Sequence, residues 1–320
     1  MLHPDVSRRA ALIISTLLVG APLAAWLSRV TPQQLNEDAG MPFVTLNNGV
    51  RMPILSAGLY QVTAKEATAM VPMALRIGFT HIDASINYGN QPETGVALQP
   101  YARSSYFLLT KIDPSWPDYQ AGKYRSMTAE SAYDDTINQL KQCLDDLKVS
   151  QLDVVLVHWP PKTCKASQEA WRAMEAFYAA GKARAIGVSN YAPSDLDCLL
   201  RTATVVPALN QVLYHVGMGT DLDGLLSYQA SRNITVQAFS PLGGGSTGKP
   251  RTNELISGSL VTSIGLKHGK SGAQVSVRWL VQKGIPTAVE STNEAHLAAD
   301  LDVFDFVLSD EDMAVLDAAA

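Results

Sequence analysis

The sequence predicts an α/β fold, a (β/α)8 TIM barrel with an N-terminal β-hairpin plug, from three observations. From Met41 onward, strand-like and helix-like segments alternate along the chain, which is typical of a parallel sheet. The strand-like runs are almost continuously apolar, as expected for parallel strands that are covered on both faces. Eight such units share about 270 residues, which suits a closed barrel better than an open sheet.

The eight barrel strands are predicted from short apolar runs that end near polar residues. They are Ile54–Gly58, Phe79–Asp83, Tyr106–Lys111, Asp153–His158, Arg184–Val188, Pro207–Gln211, Ile234–Phe239 and Pro286–Glu290. Ahead of them, Phe43–Leu46 and Val50–Pro53 flank Asn47-Asn48-Gly49, a strong hairpin turn signal. We expect this hairpin to close the bottom of the barrel.

Helix signals lie between the strands. Thr63 and Glu66 form a capping-box pattern, and Gly78 is a natural stop for the helix that they begin. Pro72 inside that segment predicts a kink or an early break. Ser309 with Asp312 three residues on predicts another helix start near the end of the chain. Four apolar residues recur at helical spacing between the third and fourth strands: Ile137, Leu140, Leu144 and Leu147.

Composition limits the class of function. The 320 residues carry a formal net charge of −5, and no stretch of basic residues interleaved with aromatics stands out, so we expect no nucleic-acid partner. The three cysteines, Cys143, Cys164 and Cys198, are odd in number and lack metal-ligand spacing. We therefore expect free thiols rather than a disulfide framework or a zinc site, and we expect no metal elsewhere.

The amino terminus differs from the rest of the chain. Arg8 and Arg9 precede the apolar run from Ala10 to Leu27, an arrangement typical of a signal sequence or a membrane anchor. The paired arginines also permit a twin-arginine export signal, and both cleaved and uncleaved forms stay open. We therefore separate residues 1–40, a targeting segment and linker, from a barrel at residues 41–320. The predicted location is a membrane surface, an organelle or an exported compartment, or the cytoplasm if the segment is unused.

Ionisable residues collect where predicted strands end, which is where the function of such barrels lies. Asp83 and Lys111 end the second and third strands, Tyr88 follows in the loop after Asp83, and His158 ends the fourth strand. An ammonium near a tyrosine favours the phenolate, so we expect Lys111, held by Asp83, to lower the pKa of Tyr88. His158 would donate a hydrogen bond to a carbonyl oxygen. This group suits protonation of an alkoxide as hydride reaches carbon.

At these residues the sequence resembles the aldo-keto reductase family, from about Val44 to Leu316. The matching stretches are Gly78-Phe-Thr-His-Ile-Asp-Ala-Ser-Ile-Asn-Tyr-Gly-Asn90, Leu109-Thr-Lys111, Leu152-Asp-Val-Val-Leu-Val-His-Trp-Pro160, Gly181-Lys-Ala-Arg-Ala-Ile-Gly-Val-Ser-Asn190 and Asn210-Gln211. The resemblance implies a catalytic tetrad of Asp83, Tyr88, Lys111 and His158, with Tyr88 as the general acid in reduction.

The resemblance also implies sites for cofactor and substrate. The residues that would hold the nicotinamide carboxamide are Ser189, Asn190 and Gln211. Phe239 would stack on the nicotinamide ring, and Ser240 and Leu242 would line the pyrophosphate. Tyr60 and Trp159 would form walls of the substrate pocket.

The sequence departs from the family pattern at several positions. Gln91 stands where the family usually has Glu after Tyr-x-Asn, and Leu213 replaces Glu in the usual Gln-Val-Glu-Tyr-His. The chain stops at Ala320, directly after its last predicted helix, so the variable carboxyl-terminal loop of the family looks truncated. We therefore expect an open pocket and leave the substrate undetermined.

The largest departure lies at the end of the eighth strand. Members that use NADPH typically have Lys-Ser there, then Arg five residues after the Ser, then Glu-Asn. Here Glu290-Ser291 replaces Lys-Ser, His296 replaces Arg, and Ala299-Asp300 replaces the closing pair. A carboxylate would repel a 2′-phosphate and accept hydrogen bonds from a free ribose, so we expect a preference for NADH. The alternative is that Lys249 or Arg251 reaches the phosphate from the loop after the seventh strand.

The predicted function is reduction of an aldehyde or ketone by hydride transfer from NADH or NADPH, in a monomer whose partner is a small carbonyl compound. Two other classes stay open: a nicotinamide-binding, redox-sensing subunit and a membrane-tethered interaction protein with little turnover. Pure binding does not need Tyr88 and Lys111 together, which argues against the first of these.

Overall fold

The computed structural model describes residues 41–118, 123–222, 224–243 and 253–319. The predicted targeting segment at residues 1–40 lies outside these ranges, as do Lys249 and Arg251.

The eight predicted barrel strands are confirmed, and they form one closed parallel barrel in sequence order. The strands are β3 (Leu55–Gly58), β4 (His81–Asp83), β5 (Phe107–Ile112), β8 (Leu152–Val157), β9 (Ala183–Ser189), β10 (Leu209–Leu213), β11 (Thr235–Phe239) and β12 (Thr287–Val289). The barrel closes where β12 pairs with β3, with Thr287 opposite Leu55 and Val289 opposite Ala57. All eight strands point the same way, so their carboxyl ends meet at one rim.

Helices follow most strands. The α-helices are α1 (Ala64–Ile77), α2 (Gln91–Leu98), α3 (Ala132–Leu147), α4 (Cys164–Ala179), α5 (Pro193–Leu200), α6 (Leu225–Ala230), α7 (Glu254–Ser257), α8 (Ser259–His268), α9 (Gly272–Gln282), α10 (Glu294–Leu301) and α11 (Asp310–Asp317). The Thr63–Glu66 capping box is present, and Gly78 ends α1 at a φ of 115°, which favours glycine. The early break expected at Pro72 does not occur, because α1 continues to Ile77.

The predicted hairpin is confirmed as β1 (Phe43–Thr45) paired antiparallel with β2 (Arg51–Pro53). Its turn is tied to the amino-terminal end of the barrel, where Asn47 and Asn48 donate to the carbonyl oxygens of Pro207 and Arg184, at 3.1 and 2.9 Å. Met52 is fully buried among side chains from the barrel strands. The hairpin therefore plugs the end of the barrel opposite the rim.

A second hairpin was not predicted. Strands β6 (Ser115–Asp118) and β7 (Lys123–Ser126) form a separate antiparallel pair after β5. Pro114 and Pro117 argue against a strand in this segment, because proline cannot donate a ladder hydrogen bond. An isolated two-stranded hairpin tolerates proline, since one edge of each strand needs no partner.

The expectation of free thiols was wrong for two of the three cysteines. Cys164 and Cys198 form a disulfide, with a Cα–Cα distance of 5.7 Å. Cys164 begins α4 and Cys198 lies in α5, the next helix around the barrel. The barrel places these two neighbouring helices side by side, which brings together residues 34 positions apart. Cys143 is a buried free thiol, as expected.

Candidate active site

The four predicted catalytic residues meet at the carboxyl-terminal rim of the barrel. Asp83 ends β4, Lys111 lies near the end of β5, and His158 directly follows β8. Tyr88 closes a short 3-10 turn, Ile86–Tyr88, that begins three residues after Asp83. The parallel register of neighbouring strands therefore converts spacing along the chain into one cluster of side chains.

Lys111 is the centre of this cluster. Its buried Nζ donates to Asp83 Oδ1, to the Ala84 carbonyl oxygen at 3.0 Å and to the Tyr88 hydroxyl at 3.2 Å. An ammonium has three donors, so all of them have a partner. Burial lowers the pKa of Lys111, but the Asp83 carboxylate and Tyr88 outweigh it, and the net pKa is raised. Lys111 is therefore a charged group at neutral pH.

The expected lowering of the Tyr88 pKa was wrong. Lys111 lowers this pKa, as the sequence indicated, but burial of the hydroxyl acts more strongly in the opposite direction. The net effect raises the pKa of Tyr88 to about 12. Desolvation disfavours the charged phenolate, so the hydroxyl stays protonated across the neutral range. Tyr88 is therefore poised as a proton donor rather than as a phenolate.

His158 lies beside Tyr88, with ring centroids 5.7 Å apart in an edge-on arrangement. Burial, and then the Lys111 ammonium, lower the pKa of His158 well below its usual value, so the imidazole is neutral. Its Nδ1 atom lies 3.2 Å from the hydroxyl oxygen of Ser85. Ser85 in turn contacts Asn87, which contacts Asp113.

Sequence reasoning did not single out Ser85, Asn87 or Asp113. Ser85 and Asn87 lie inside the matching stretch between Asp83 and Tyr88, so their position next to the tetrad was visible. Nothing in the sequence indicated that their side chains contact one another or Asp113.

The two predicted pocket residues flank the tetrad at the rim. Tyr60 is 39% exposed and packs edge-on against Tyr88, with ring centroids 5.3 Å apart. Trp159 is 44% exposed and stacks on His158, with centroids 6.0 Å apart. Large aromatic side chains this exposed, one on each side of an acid–base group, are suited to contact an apolar part of a substrate.

The three residues expected to hold a carboxamide also lie together, at the ends of β9 and β10. Ser189 Oγ donates to the Gln211 carbonyl oxygen at 2.8 Å. Asn190 Nδ2 donates to the His158 carbonyl oxygen at 2.9 Å. Gln211 Nε2 donates to Asp83 Oδ2 at 2.5 Å and to Gln237 Oε1 at 3.0 Å. Gln237, a buried residue of β11, was not predicted.

This set of groups fits a nicotinamide carboxamide, which offers one acceptor oxygen and two N–H donors. The side-chain hydrogens of Ser189, Asn190 and Gln211 are all donated within the protein, so these residues offer their oxygens as acceptors for the two N–H groups of the carboxamide. The buried Nε2 atom of Gln237 has no hydrogen-bond partner among the described residues. Phe239 ends β11 beside them and is half-buried, so one aromatic residue adjoins the amide cluster.

The chain leaves β9 and β11 in a strained conformation at both ends of this cluster. Asn190 has a φ of 61° and Ser240 has a φ of 52°, in the left-handed region that favours glycine. Such strain collects at functional sites, because the surrounding structure must hold it in place. The turn after β11 continues to Leu242, which is half-buried against the core.

The residues of the predicted ribose end lie around the carboxyl end of β12. Glu290 is exposed directly after this strand, and Ser291 follows it. His296 lies on the first turn of α10, and its Nδ1 is 3.4 Å from Ser291 Oγ. Asp300, further along α10, is buried instead of facing solvent.

Gln91, a departure from the family pattern, is a buried structural contact. Its Oε1 accepts from Thr110 Oγ1 at 2.5 Å and its Nε2 donates to Asp146 Oδ2 at 3.2 Å. The side chain therefore joins β5 to α3 behind the tetrad. A neutral amide can donate to Asp146, whereas a glutamate at this position would place two carboxylates against each other.

No helix in the described ranges, which omit residues 1–40, combines the length and apolar character that a membrane span requires.

Comparison with known proteins identifies the family. Residues 55–320 match the profile of the Aldo/keto reductase family. Glyoxal reductase from Bacillus subtilis (strain 168) is 35% identical over 278 residues, which cover 86% of this chain and 91% of that protein. Morphine 6-dehydrogenase from Pseudomonas putida is 31% identical over 283 residues, covering 86% of this chain and 90% of that protein.

Solved structures agree in fold. An aldo/keto reductase from Brucella melitensis superposes with a TM-score of 0.75 at 31% identity, covering 87% of this chain and 98% of that chain. An aldo-keto reductase from Bombyx mori, solved in complex with NADP, gives a TM-score of 0.74 at 26% identity, covering 88% and 93%. With the closed barrel and the rim cluster described above, these matches show that the chain belongs to the Aldo/keto reductase family of oxidoreductases.

Proposed function

We propose that this protein reduces an aldehyde or ketone to the alcohol with NADH or NADPH, and that Tyr88 is the general acid. The observation that carries the proposal is the Lys111 ammonium, which bonds at once to Asp83 and to the Tyr88 hydroxyl at the rim. The related glyoxal reductase and morphine 6-dehydrogenase carry names of oxidoreductases that act on carbonyl or alcohol groups, which supports the same chemistry.

Each tetrad residue has a distinct part in this reaction. A bound nicotinamide supplies the hydride that reaches the carbonyl carbon. Tyr88 donates its proton to the carbonyl oxygen, where negative charge develops. Lys111 stabilises the phenolate that remains on Tyr88, because its Nζ is only 3.2 Å from the hydroxyl oxygen. Asp83 holds Lys111 in position and keeps it charged.

We assign cofactor binding to the groups around the ends of β9, β10, β11 and β12. Ser189, Asn190 and Gln211 would hold the carboxamide, and Phe239 would stack on the ring. Ser240 and Leu242 would line the pyrophosphate, and Glu290 and Ser291 would face the adenosine ribose. The support for this assignment is that the first three already form one cluster that contacts Asp83 and His158.

Replacing Tyr88 by Phe tests the acid directly. The change removes the proton donor and keeps the ring that packs on Tyr60 and His158. We expect carbonyl reduction to fall by about 100-fold to 10,000-fold, the usual range for loss of general acid catalysis, while the dissociation constant for the cofactor changes little. Tyr133→Phe, a half-buried change on α3, is the matched control. Turnover within a few-fold of the parent in Tyr88→Phe would remove Tyr88 from the mechanism.

We propose a preference for NADH over NADPH. Glu290 is exposed at the position where the family's phosphate-binding members typically have Lys, and His296 on α10 replaces the forked Arg. A carboxylate disfavours a nearby 2′-phosphate, and an imidazole cannot make the two parallel hydrogen bonds of a guanidinium. Both replacements therefore weaken binding of NADPH more than binding of NADH.

We also propose that the segment around Ala10–Leu27 directs the chain to or through a membrane. The Cys164–Cys198 disulfide supports an oxidising compartment, since disulfides persist there and are rare in the cytosol. Fractionation of cells that express the full chain tests this. Recovery of freely soluble protein with its amino terminus intact contradicts it.

We propose a monomer that binds a small carbonyl compound and no nucleic acid. The acidic net charge supports the second part. Size-exclusion chromatography with light scattering checks the first, and a mass of two or more chains contradicts it.

A further inference from the structure

A chain of three polar side chains outside the tetrad runs from a carboxylate to the His158 ring. Asn87 Nδ2 donates to Asp113 Oδ2 at 2.5 Å. Ser85 Oγ lies 2.6 Å from Asn87 Oδ1 and 3.2 Å from His158 Nδ1. Ser85 and Asp113 are buried, whereas Asn87 is exposed at the rim. We infer that Ser85, Asn87 and Asp113 are positioning residues that hold His158 with its proton on Nδ1 and present Nε2 to the substrate as a hydrogen-bond acceptor.

The Asp113 end of this row of side chains fixes which group donates and which accepts in each hydrogen bond. The Asn87 amide turns its NH₂ group toward Asp113 Oδ2, the orientation that suits an ionised carboxylate, because such a group can only accept hydrogen bonds. This orientation leaves Asn87 Oδ1 facing Ser85. The opposite orientation would place the amide oxygen against the carboxylate, two acceptors in contact with no hydrogen between them.

The hydrogen bond from Ser85 to Asn87 then fixes what the Ser85 hydroxyl can offer to His158. A hydroxyl has a single hydrogen, and Asn87 Oδ1 can only accept, so the Ser85 hydrogen points to Asn87. The Lys111 carbonyl oxygen, at 3.5 Å, is a much poorer alternative acceptor. Ser85 Oγ therefore offers only a lone pair to His158 Nδ1, and that contact is a hydrogen bond only when Nδ1 carries the hydrogen.

The other ring nitrogen of His158 is then a bare acceptor. A neutral imidazole has one N–H, and the buried ring beside the Lys111 ammonium is neutral. His158 is 9% exposed. Its Nε2 has no hydrogen-bond partner among the described residues, and this atom is accessible to solvent. Since the ring lies between Tyr88 and Trp159, Nε2 opens to the rim where a carbonyl compound would bind.

This arrangement changes the role expected of His158 from the sequence. The hydrogen bond that polarises the carbonyl comes from Tyr88 alone, and His158 accepts from a donor on the substrate. If the proposed reduction holds, on which this step rests, the site favours carbonyl compounds with a hydroxyl on the carbon next to the carbonyl. Tyr88 then donates to the carbonyl oxygen while that hydroxyl donates to His158 Nε2.

The first experiment observes the tautomer of the His158 ring directly and does not depend on catalytic activity. Long-range proton–nitrogen correlation NMR on the full chain with ¹⁵N-labelled histidine distinguishes Nδ1–H from Nε2–H, and His158→Gln identifies the signal. We expect Nδ1–H in the parent. Asn87→Ala frees the Ser85 hydrogen to point at Nδ1, so we expect Nε2–H in that variant. Asn48→Ala, an exposed change in the hairpin turn, is the matched control and should keep Nδ1–H.

A kinetic comparison tests the consequence for substrates. Glycolaldehyde and propanal differ by a hydroxyl in place of a methyl group. The ratio of their kcat/KM values should fall in Asn87→Ala by about fivefold to tenfold, the usual effect of one neutral hydrogen bond, and should not change in Asn48→Ala.

Nε2–H in the parent, or an unchanged tautomer in Asn87→Ala, overturns the positioning role. An unchanged ratio alongside a switched tautomer overturns the substrate preference. Absence of turnover with every carbonyl compound contradicts the proposed function but leaves the tautomer result decisive.

Discussion

Gln211 and Asp83 are joined by a hydrogen bond of 2.5 Å, from the amide Nε2 to the carboxylate oxygen that does not hold Lys111. The residue that we propose for the cofactor carboxamide therefore also contacts the carboxylate that holds Lys111. In the proposed mechanism, binding of the cofactor and orientation of the tetrad therefore share one buried side chain.

Gln211→Met tests this coupling. The variant keeps the length of the side chain but leaves Asp83 Oδ2 and Gln237 Oε1 without their donor. A buried acceptor that loses its partner costs about 1–3 kcal/mol, so we expect a lower free energy of unfolding by that amount together with weaker cofactor binding. Urea unfolding and a cofactor fluorescence titration measure the two effects. Gln151→Met, which removes an exposed contact to the Gly181 carbonyl oxygen, is the control. A parent-like stability in Gln211→Met contradicts the coupling.

The Cys164–Cys198 disulfide should stabilise the fold measurably. Closing a loop between residues 34 positions apart restricts the unfolded chain, and we expect a loss of about 2–4 kcal/mol in Cys198→Ala. Dithiothreitol should lower the melting temperature of the parent and leave that of Cys198→Ala unchanged. Burial raises the pKa of the Cys143 thiol to about 12, so this third cysteine does not compete in thiol exchange. Equal melting temperatures of oxidised and reduced parent would rule out a stabilising bond.

Asp300 should make stability depend on pH. It is 7% exposed, and burial raises its pKa to about 7. The folded chain keeps this proton up to about pH 7, whereas an unfolded aspartate loses it near pH 4. Stability is therefore highest below pH 4 as far as this group is concerned, and it falls as the pH rises from about 4 to 7.

Asp300→Asn removes that dependence. At pH 8 we expect the variant to be more stable than the parent by up to about 4 kcal/mol, and near pH 4 we expect the difference to vanish. Urea unfolding at both pH values measures it, and Asp145→Asn, on the exposed face of α3, is the control. A variant that is less stable than the parent at pH 8 would mean that the carboxylate is stabilised in the fold.

Cofactor preference is tested by Glu290→Lys. We expect the parent to bind NADH more tightly than NADPH by about tenfold, which corresponds to about 1.4 kcal/mol, and the variant to lose or reverse this preference. Glu311→Lys, an exposed change on α11 with the same change in net charge, controls for a general electrostatic effect. Dissociation constants from fluorescence titrations decide the matter. Tighter binding of NADPH by the parent refutes the proposal, whatever the variants do.

Much of the barrel is predictable from the sequence because the alternation of apolar strands and amphipathic helices is strong and local. The β6–β7 hairpin is not predictable, because Pro114 and Pro117 argue against a strand in that segment. The disulfide is not predictable either. Cys164 and Cys198 become neighbours only when the barrel closes and packs α4 against α5. The number of cysteines and their spacing along the sequence do not indicate this contact.

For the candidate site, the motifs predict which residues gather but not the balance of forces on them. The sequence indicates that Lys111 lies near Tyr88, but not how deeply the Tyr88 hydroxyl is buried, and burial decides the direction of its pKa. The same limit applies to Ser85 and Asn87. Their identities are visible in the motif, whereas the hydrogen bonds that connect them depend on side-chain direction.

The pairing of β3 with β12 means that the barrel can close only late in the synthesis of this protein. Because Leu55 pairs with Thr287, the first barrel strand to leave the ribosome waits for its second partner until the last barrel strand has been made. Until then, β3 presents an unpaired edge, and so does β11 once it has formed. Exposed edges of this kind pair readily with other chains, so a nascent or truncated chain that stops before Thr287 is the form most in need of a chaperone.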